Sequence, residues 1–441
     1  RDALDKVGVT VNLLKVGTFK SAAEPFIANG PSEAAAEADR FLNSGLWATY
    51  TGDVEKARKL PAGAIMQTID NLPALMTAAG GDIAKLSLNG KLVDGLKTRD
   101  ELRQFMMARG AKNMEGTNFR QVSYTDYLAR LRPVHIGDAV GVVIASGEIS
   151  DGIEAPGAIG GLSTSRLIRQ AREDKSIKAV VLRVDSPGGS AFGSELIRRE
   201  LELTRAAGKP VVVSMGNVAA SGGYWISTSS DEVIADAATI TGSIGVFAIL
   251  PTADKVVEKL GIHTAGSPTT WLADAGNPLR PLDPRFAEVI QGSINHVYGD
   301  FIGLAAKARK TTPEKIDAVA QGRVWTGLQA KERNLVDRIG SYGDALASAA
   351  RRAKLGADFR VTYLEQETSN VDRLLGMFGS KAMASLGLGE HVKLGLATTG
   401  LPADAALGMA QDLSWLSGIT REHKPFMALT HCLCEVPLGG K

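Results

Sequence analysis

Lys178-Ala179-Val180-Val181-Leu182-Arg183-Val184-Asp185-Ser186-Pro187-Gly188-Gly189-Ser190 reads as a buried strand that runs into a turn, with a helix to follow. Its run over Lys178–Val184 is almost continuously apolar, as a strand inside a sheet requires. Comparable runs stand at Ala139–Ala145, Pro210–Met215, Glu232–Ile234 and Ser243–Leu250. Helical stretches such as Thr164–Asp174 and Ser194–Ala207 lie between them. Strands alternating with helices from Asp138 to about Ala350 predict an α/β fold with a largely parallel sheet.

The chain has 441 residues, enough for two or three domains. Hydrophobic residues make up 44% and charged ones 22%, which suits a soluble globular α/β protein. Lys+Arg (50) nearly balances Asp+Glu (48), so no basic groove for nucleic acid is indicated. The two cysteines, Cys432 and Cys434, are too close for an easy disulfide and read as a tail without a structural role. Six scattered histidines form no metal-ligand spacing. No apolar run reaches the ~18 residues of a membrane span. Residue 1 is Arg rather than Met, and the expectation is a fragment whose anchor lies upstream of Arg1.

An internal echo sets the larger architecture. Asp5-Lys6-Val7-Gly8-Val9 is similar to Glu258-Lys259-Leu260-Gly261-Ile262, and Gly90-Lys91-Leu92-Val93-Asp94-Gly95 to Arg333-Asn334-Leu335-Val336-Asp337-Arg338. The reading is two related halves with a boundary near Asn118–His135. Residues 1–125 are then the C-terminal part of a first half, its opening strands expected before Arg1. Residues 126–350 form a complete second half. Residues 351–441 carry a strand at Phe359–Leu364 and a helical tail with apolar stripes (Leu374-Leu375, Met377-Phe378) for packing or oligomer contact. The last dozen residues read as disordered.

The chemistry is expected where strands give way to helices. Ser221 stands between Ala220 and Gly222-Gly223, after a buried strand and before the helix-like Tyr224-Trp225-Ile226-Ser227. Small neighbours leave room around its hydroxyl, and the amides that follow can face a developing oxyanion. A serine before Gly-Gly also serves as a helix cap, and the local sequence leaves both readings open. In Asp185–Ser190, Gly188 and Gly189 permit unusual backbone angles and close approach. An amide there, paired with that of Gly222, would make a two-donor oxyanion hole; a plain turn is the alternative. No histidine is nominated as a base. A lysine can serve when burial disfavours its charged form. Lys20, in Gly17-Thr18-Phe19-Lys20-Ser21-Ala22-Ala23-Glu24-Pro25, stands among small and apolar residues, although a solvated surface role is the ordinary reading of any lysine.

At these residues the sequence resembles the signal peptide peptidase A family (protease IV), of the long, duplicated bacterial type. The carrying motifs are Gly17–Pro25, Asp185–Ser190, Ala219-Ala220-Ser221-Gly222-Gly223-Tyr224-Trp225-Ile226 and Thr241-Gly242-Ser243-Ile244-Gly245. The resemblance implies a crotonase-like (ClpP/crotonase) α/β fold present twice. It implies Ser221 as nucleophile, Lys20 as general base, an oxyanion hole from Gly222 with Gly189 and Gly188, and Ser243 holding the lysine amine. It further implies a periplasm-facing protein anchored in the bacterial inner membrane, a homotetramer, and hydrophobic peptide substrates, above all cleaved signal peptides. No metal or nucleotide cofactor is expected. The position corresponding to Lys20 in the second half falls at Ala273, so the halves would share one site. The competing readings are an acyl-CoA hydratase or isomerase on the same fold, and a non-catalytic membrane quality-control scaffold.

Overall fold

The computed structural model describes residues 1–130, 137–155, 158–366 and 429–431. Its strands, in chain order, are β1 (Thr10–Val16), β2 (Ala139–Ser146), β3 (Ile149–Ser150), β4 (Ile159–Gly160), β5 (Ile177–Ser186), β6 (Gly188–Ser190) and β7 (Val211–Ala220). They continue with β8 (Glu232–Ala235), β9 (Ile240–Gly242), β10 (Val246–Thr252), β11 (Val324–Thr326), β12 (Arg338–Ile339), β13 (Arg360–Tyr363) and β14 (Leu429–His431).

The opening motif is the middle of the larger sheet, ordered β11-β9-β7-β5-β2-β13. Its pairings are parallel except that of β11 with β9. Successive side chains of β5 point to opposite faces. Val180, Leu182 and Val184 meet Ile168 and Ala171 of the helix Gly161–Glu173 and Ile197 and Leu201 of the helix Ala191–Ala206. Ala179 and Val181 meet Ala345 and Ala349 of the helix Tyr342–Arg352. Covering on both faces explains the nearly continuous apolar run. Each fully buried Val or Leu contributes roughly 1.5–3 kcal/mol.

The smaller sheet, β1-β10-β14-β6-β3-β4, ties the N-terminal arm to β10. β1 pairs antiparallel with β10 over its whole length, from Thr10 opposite Thr252 to Val16 opposite Val246. Beyond it, Ala23 and Phe26 are buried against Phe247 and Ile249. On the other side of β10, Val246 and Ala248 pack on Phe286, Ile290 and Ile294 of the long helix Pro284–Arg309.

Two local expectations need correction. The run Ser243–Leu250 is not one strand: β9 ends at Gly242 and β10 begins at Val246. Ser243 takes a φ of 51°, and its amide turns away to Arg323 O. The strand expected at Pro210–Met215 continues to Ala220 through a bulge, because Val184 pairs with Met215 but Ser186 with Ala219. The strand β1 was not anticipated from the sequence.

Residues Arg1–Asn43 and Gly137–Lys441 form one compact unit, and Ser44–Ile136 another. These units therefore divide the chain differently from the sequence halves. The second unit contains the C-terminal part of the helix Glu33–Arg58 and shorter helices, among them Ala64–Asp70, Leu72–Ala78, Ile83–Asn89 and Arg99–Arg109. The internal echo has a backbone counterpart. The segments ending at Gly8 and Gly261 are both short helices closed by a glycine of positive φ (85° and 68°). Helices Glu33–Arg58 and Pro284–Arg309, each of 26 residues, are both followed by a lysine of positive φ, Lys59 and Lys310. Leu374-Leu375, Met377-Phe378, Cys432 and Cys434 lie outside the described residues. Among the described residues no helix is long and apolar enough to cross a membrane.

Candidate active site

Ser221 sits where β7 ends and the helix Gly222–Ser227 begins, and it is completely buried. Its φ and ψ of 55° and −115° are strained for a residue with a side chain. Three contacts hold it there. Its amide donates to Gly242 O at 2.8 Å, its carbonyl accepts from Trp225 N at 2.8 Å, and Thr241 Oγ1 donates to Ala219 O at 2.7 Å. Tyr224 and Trp225, in the first turn of the helix, pack on Phe301. Ser221 makes no side-chain capping bond, so the capping alternative is not what the hydroxyl does.

Lys20 follows β1 after a turn in which its amide donates to Gly17 O. It is 2% exposed. Its Nζ lies 2.8 Å from Ser221 Oγ, 3.0 Å from Ser243 Oγ and 3.2 Å from Ser243 O. The ring of Phe247 lies 5.8 Å away. Among the described residues no carboxylate forms an ion pair with the amine, and burial holds its pKa well below the ordinary lysine value. A buried amine whose charged form is disfavoured, hydrogen-bonded to a buried hydroxyl, is the arrangement by which a lysine can withdraw a serine proton.

The Pro-Gly-Gly turn borders the same helix start. A Cβ on Gly223 would lie 2.7 Å from Ser186 O, so the two backbones are in direct contact. Gly188 and Gly189 have φ of 111° and 143°, and a Cβ on Gly189 would meet Ile149 O at 2.2 Å. Both positions therefore demand glycine. β14 lies antiparallel to this turn, with Leu429, Thr430 and His431 opposite Ser190, Gly189 and Gly188. Among the described residues no three His, Cys, Asp or Glu side chains gather as a metal site needs.

Sequence reasoning thus named Ser221, Lys20 and Ser243, which the fold brings together. It passed over the turn Gln321–Arg323, which backs Lys20, and over the Asp185 carboxylate, which accepts from Val218 N at 3.0 Å. Gly17, Gly245 and Gly322 were the available signal, since each marks a close backbone approach around Lys20.

Known proteins sharpen the assignment. The profile of peptidase family S49 matches residues 204–356. Protease 4 of Salmonella typhi is 42% identical over 383 residues, covering 87% of this chain and 62% of that protein. A Synechocystis sp. protein designated a protease is 34% identical over 258 residues, which span 57% of this chain and 93% of its own length. The chain belongs to peptidase family S49. A further relative, from Enterococcus faecium and designated a signal peptide peptidase, is 34% identical over 209 residues, 47% of this chain and 61% of its own. The chain spans about three fifths of the length of the Salmonella and Enterococcus proteins. The α/β fold expected from the sequence is the one observed, its larger sheet mainly parallel.

Proposed function

We propose that this chain carries the catalytic site of a serine endopeptidase with a Ser221–Lys20 dyad. Its substrates are hydrophobic peptides, including signal peptides after their release from secretory precursors. The observation that carries the reading is the 2.8 Å approach of Lys20 Nζ to Ser221 Oγ, with both groups buried.

A neutral amine has two hydrogens and one lone pair. Ser243 Oγ and O lie within reach of the two hydrogens, which leaves the lone pair for the Ser221 hydroxyl. As Ser221 Oγ attacks the scissile carbonyl, Lys20 takes its proton, and the carbonyl oxygen gains negative charge. The amides of Gly222 and Gly189, the latter presented by the Gly188 turn, receive that oxyanion. Lys20 then gives its proton to the departing amine as the peptide bond breaks and an acyl-enzyme forms. Water, giving its proton to the again neutral lysine, hydrolyses the ester and restores Ser221.

Peptide recognition draws support from β14, since the Gly188–Ser190 strand accepts an extended chain as an antiparallel neighbour. Attachment to a bacterial inner membrane, on its periplasmic face, and assembly as a homotetramer belong to the same proposal and rest on the resemblance. Membrane fractionation and light scattering of the full-length protein test them.

The dyad is tested with a fluorogenic hydrophobic peptide and a fluorophosphonate probe. Ser221→Ala should abolish both hydrolysis and labelling, and Lys20→Ala should abolish hydrolysis. A Lys20→Ala protein with near-full activity would overturn the assignment of the base.

A further inference from the structure

We infer that the turn Gln321-Gly322-Arg323 is the positioning element of the general base, fixing the Lys20 amine between Ser221 and Ser243. The inference deepens the dyad reading above and rests on it.

The same three residues bond to the segment that carries Lys20 and to the segment that carries Ser243. On one side, Phe19 N donates to Gln321 O at 2.8 Å and Thr18 N to Gln321 Oε1 at 3.2 Å. On the other, Ser243 N donates to Arg323 O at 2.7 Å and Gly322 N to Ile244 O at 2.7 Å. The turn is thus a bracket between the segment that carries Lys20 and the one that carries Ser243.

The fit is close enough to exclude side chains. A Cβ on Gly322 would lie 2.6 Å from both Lys20 N and Lys20 Cβ. One on Gly245 would lie 2.9 Å from Gly322 Cα, and one on Gly17 would lie 2.7 Å from Gln321 O. Gly322 has a φ of 78°, and Gln321, which does carry a side chain, one of 53°. Gln321 is held in that conformation from behind. Its Nε2 donates to Asp317 Oδ1 at 2.6 Å, and its amide donates to Tyr298 Oη at 3.4 Å. Arg323 closes the outer side. Its guanidinium lies 4.8 Å from the Phe19 ring centre and 4.6 Å from that of Trp325, and it donates to Glu37 Oε1 at 2.7 Å.

The charged groups around the turn are therefore Glu37, Asp317 and Arg323, with Lys15 and Glu24 on the lysine's own arm. Lys15 Nζ bonds to the Lys20 carbonyl at 3.3 Å. The amine itself faces Ser221, Ser243 and the Phe247 ring. Moving the Lys20 backbone changes the reach of the amine and its enclosure together.

The test uses Gly322→Ala and Gln321→Gly in the intact protein, each alone and combined with Lys20→Ala. Gly322→Ala displaces Lys20 backbone atoms, and kcat should fall ~10²-fold with little change in KM, as expected for a misplaced reacting group. The acid limb of kcat/KM should move to higher pH, because a less enclosed amine returns towards ordinary lysine behaviour. Glycine suits the φ of Gln321, so Gln321→Gly should keep its Tm while losing activity by about tenfold through the severed hydrogen bonds. Neither change should matter in the Lys20→Ala background. Probe titration of active sites separates a slow enzyme from a partly unfolded one. The inference is overturned if both variants keep wild-type kcat and pH profile per active site. It is equally overturned if Gly322→Ala loses activity only through unfolded molecules while Gln321→Gly is unimpaired. An active Lys20→Ala enzyme would instead sink the dyad reading, and the two failures are distinguishable.

Discussion

Lys20 is held where a charged lysine is disfavoured, and that has a thermodynamic signature separate from catalysis. In the unfolded chain the amine titrates near 10.4. In the folded chain burial depresses its pKa. Between those two values the unfolded state binds the extra proton, so stability rises with pH across that window. The penalty is absent above the ordinary lysine pKa, grows as pH falls below it, and levels off once the native amine is protonated. Lys20→Met should therefore be inactive yet more stable than the parent at pH 7. The difference should shrink as pH approaches 10. Urea titrations at several pH values check this, and parallel stability curves for the two proteins would contradict it. Ser221 was only half legible from its own surroundings: a small-residue strand end followed by Gly-Gly and a helix left a nucleophile and a helix cap both open, and the motif resemblance chose between them. Lys20 was one among 50 basic residues and became legible only through the motif resemblance. Its contact with a residue 201 positions away arises from the β1–β10 pairing, which local sequence does not encode. Ser243 was read as part of a strand because its apolar neighbours hide the positive φ that gives it its role.

Among the elements, β7 carries the active-site geometry through an irregularity. A step of two residues on β5, from Val184 to Ser186, is matched by four on β7, from Met215 to Ala219. The surplus bulges out, and it separates the part of β7 paired with β8 from the part paired with β9. Bulges of this kind re-aim the chain that follows. Here that chain ends in Ser221. Asp185 Oδ1 accepts from Val218 N at 3.0 Å within the bulge, and Thr239 Oγ1 donates to Gly216 O at 2.7 Å. Asp185→Ala leaves the Val218 amide without its partner, at a cost of about 1–3 kcal/mol. It should also lower kcat by about tenfold, because the strand end is no longer aimed. Asp185→Asn, which keeps an acceptor oxygen, should retain most of both properties. Thermal melts and kcat for the pair check the argument, and an unimpaired Asp185→Ala enzyme would count against it. Strands β2, β5 and β8 were legible because burial on a parallel sheet leaves a nearly continuous apolar run. The bulge was not, since Gly216-Asn217-Val218 carries no apolar pattern and its shape is set by Asp185 on the neighbouring strand.

Over the whole molecule, Leu429–His431 returns from far along the chain to pair with both β10 and β6. On β6 it runs antiparallel along Gly188–Ser190, with Thr430 opposite Gly189. If the Gly189 amide serves the oxyanion, a substrate's scissile carbonyl must come to that amide, and its flanking backbone must follow β6. The chain's own strand and a substrate then compete for one stretch of edge. A tethered competitor acts at an effective concentration of about millimolar when its linker spans the distance, so it raises the apparent KM without altering the chemical step. Deleting residues 429–441, or introducing Thr430→Pro to remove a backbone N–H and disrupt the pairing, should lower KM for an extended hydrophobic peptide severalfold at unchanged kcat. The rate of labelling by a small fluorophosphonate, which does not need the strand edge, should change far less. Steady-state kinetics on the two variants decide the matter, and an unchanged KM in both would show that substrate does not follow β6.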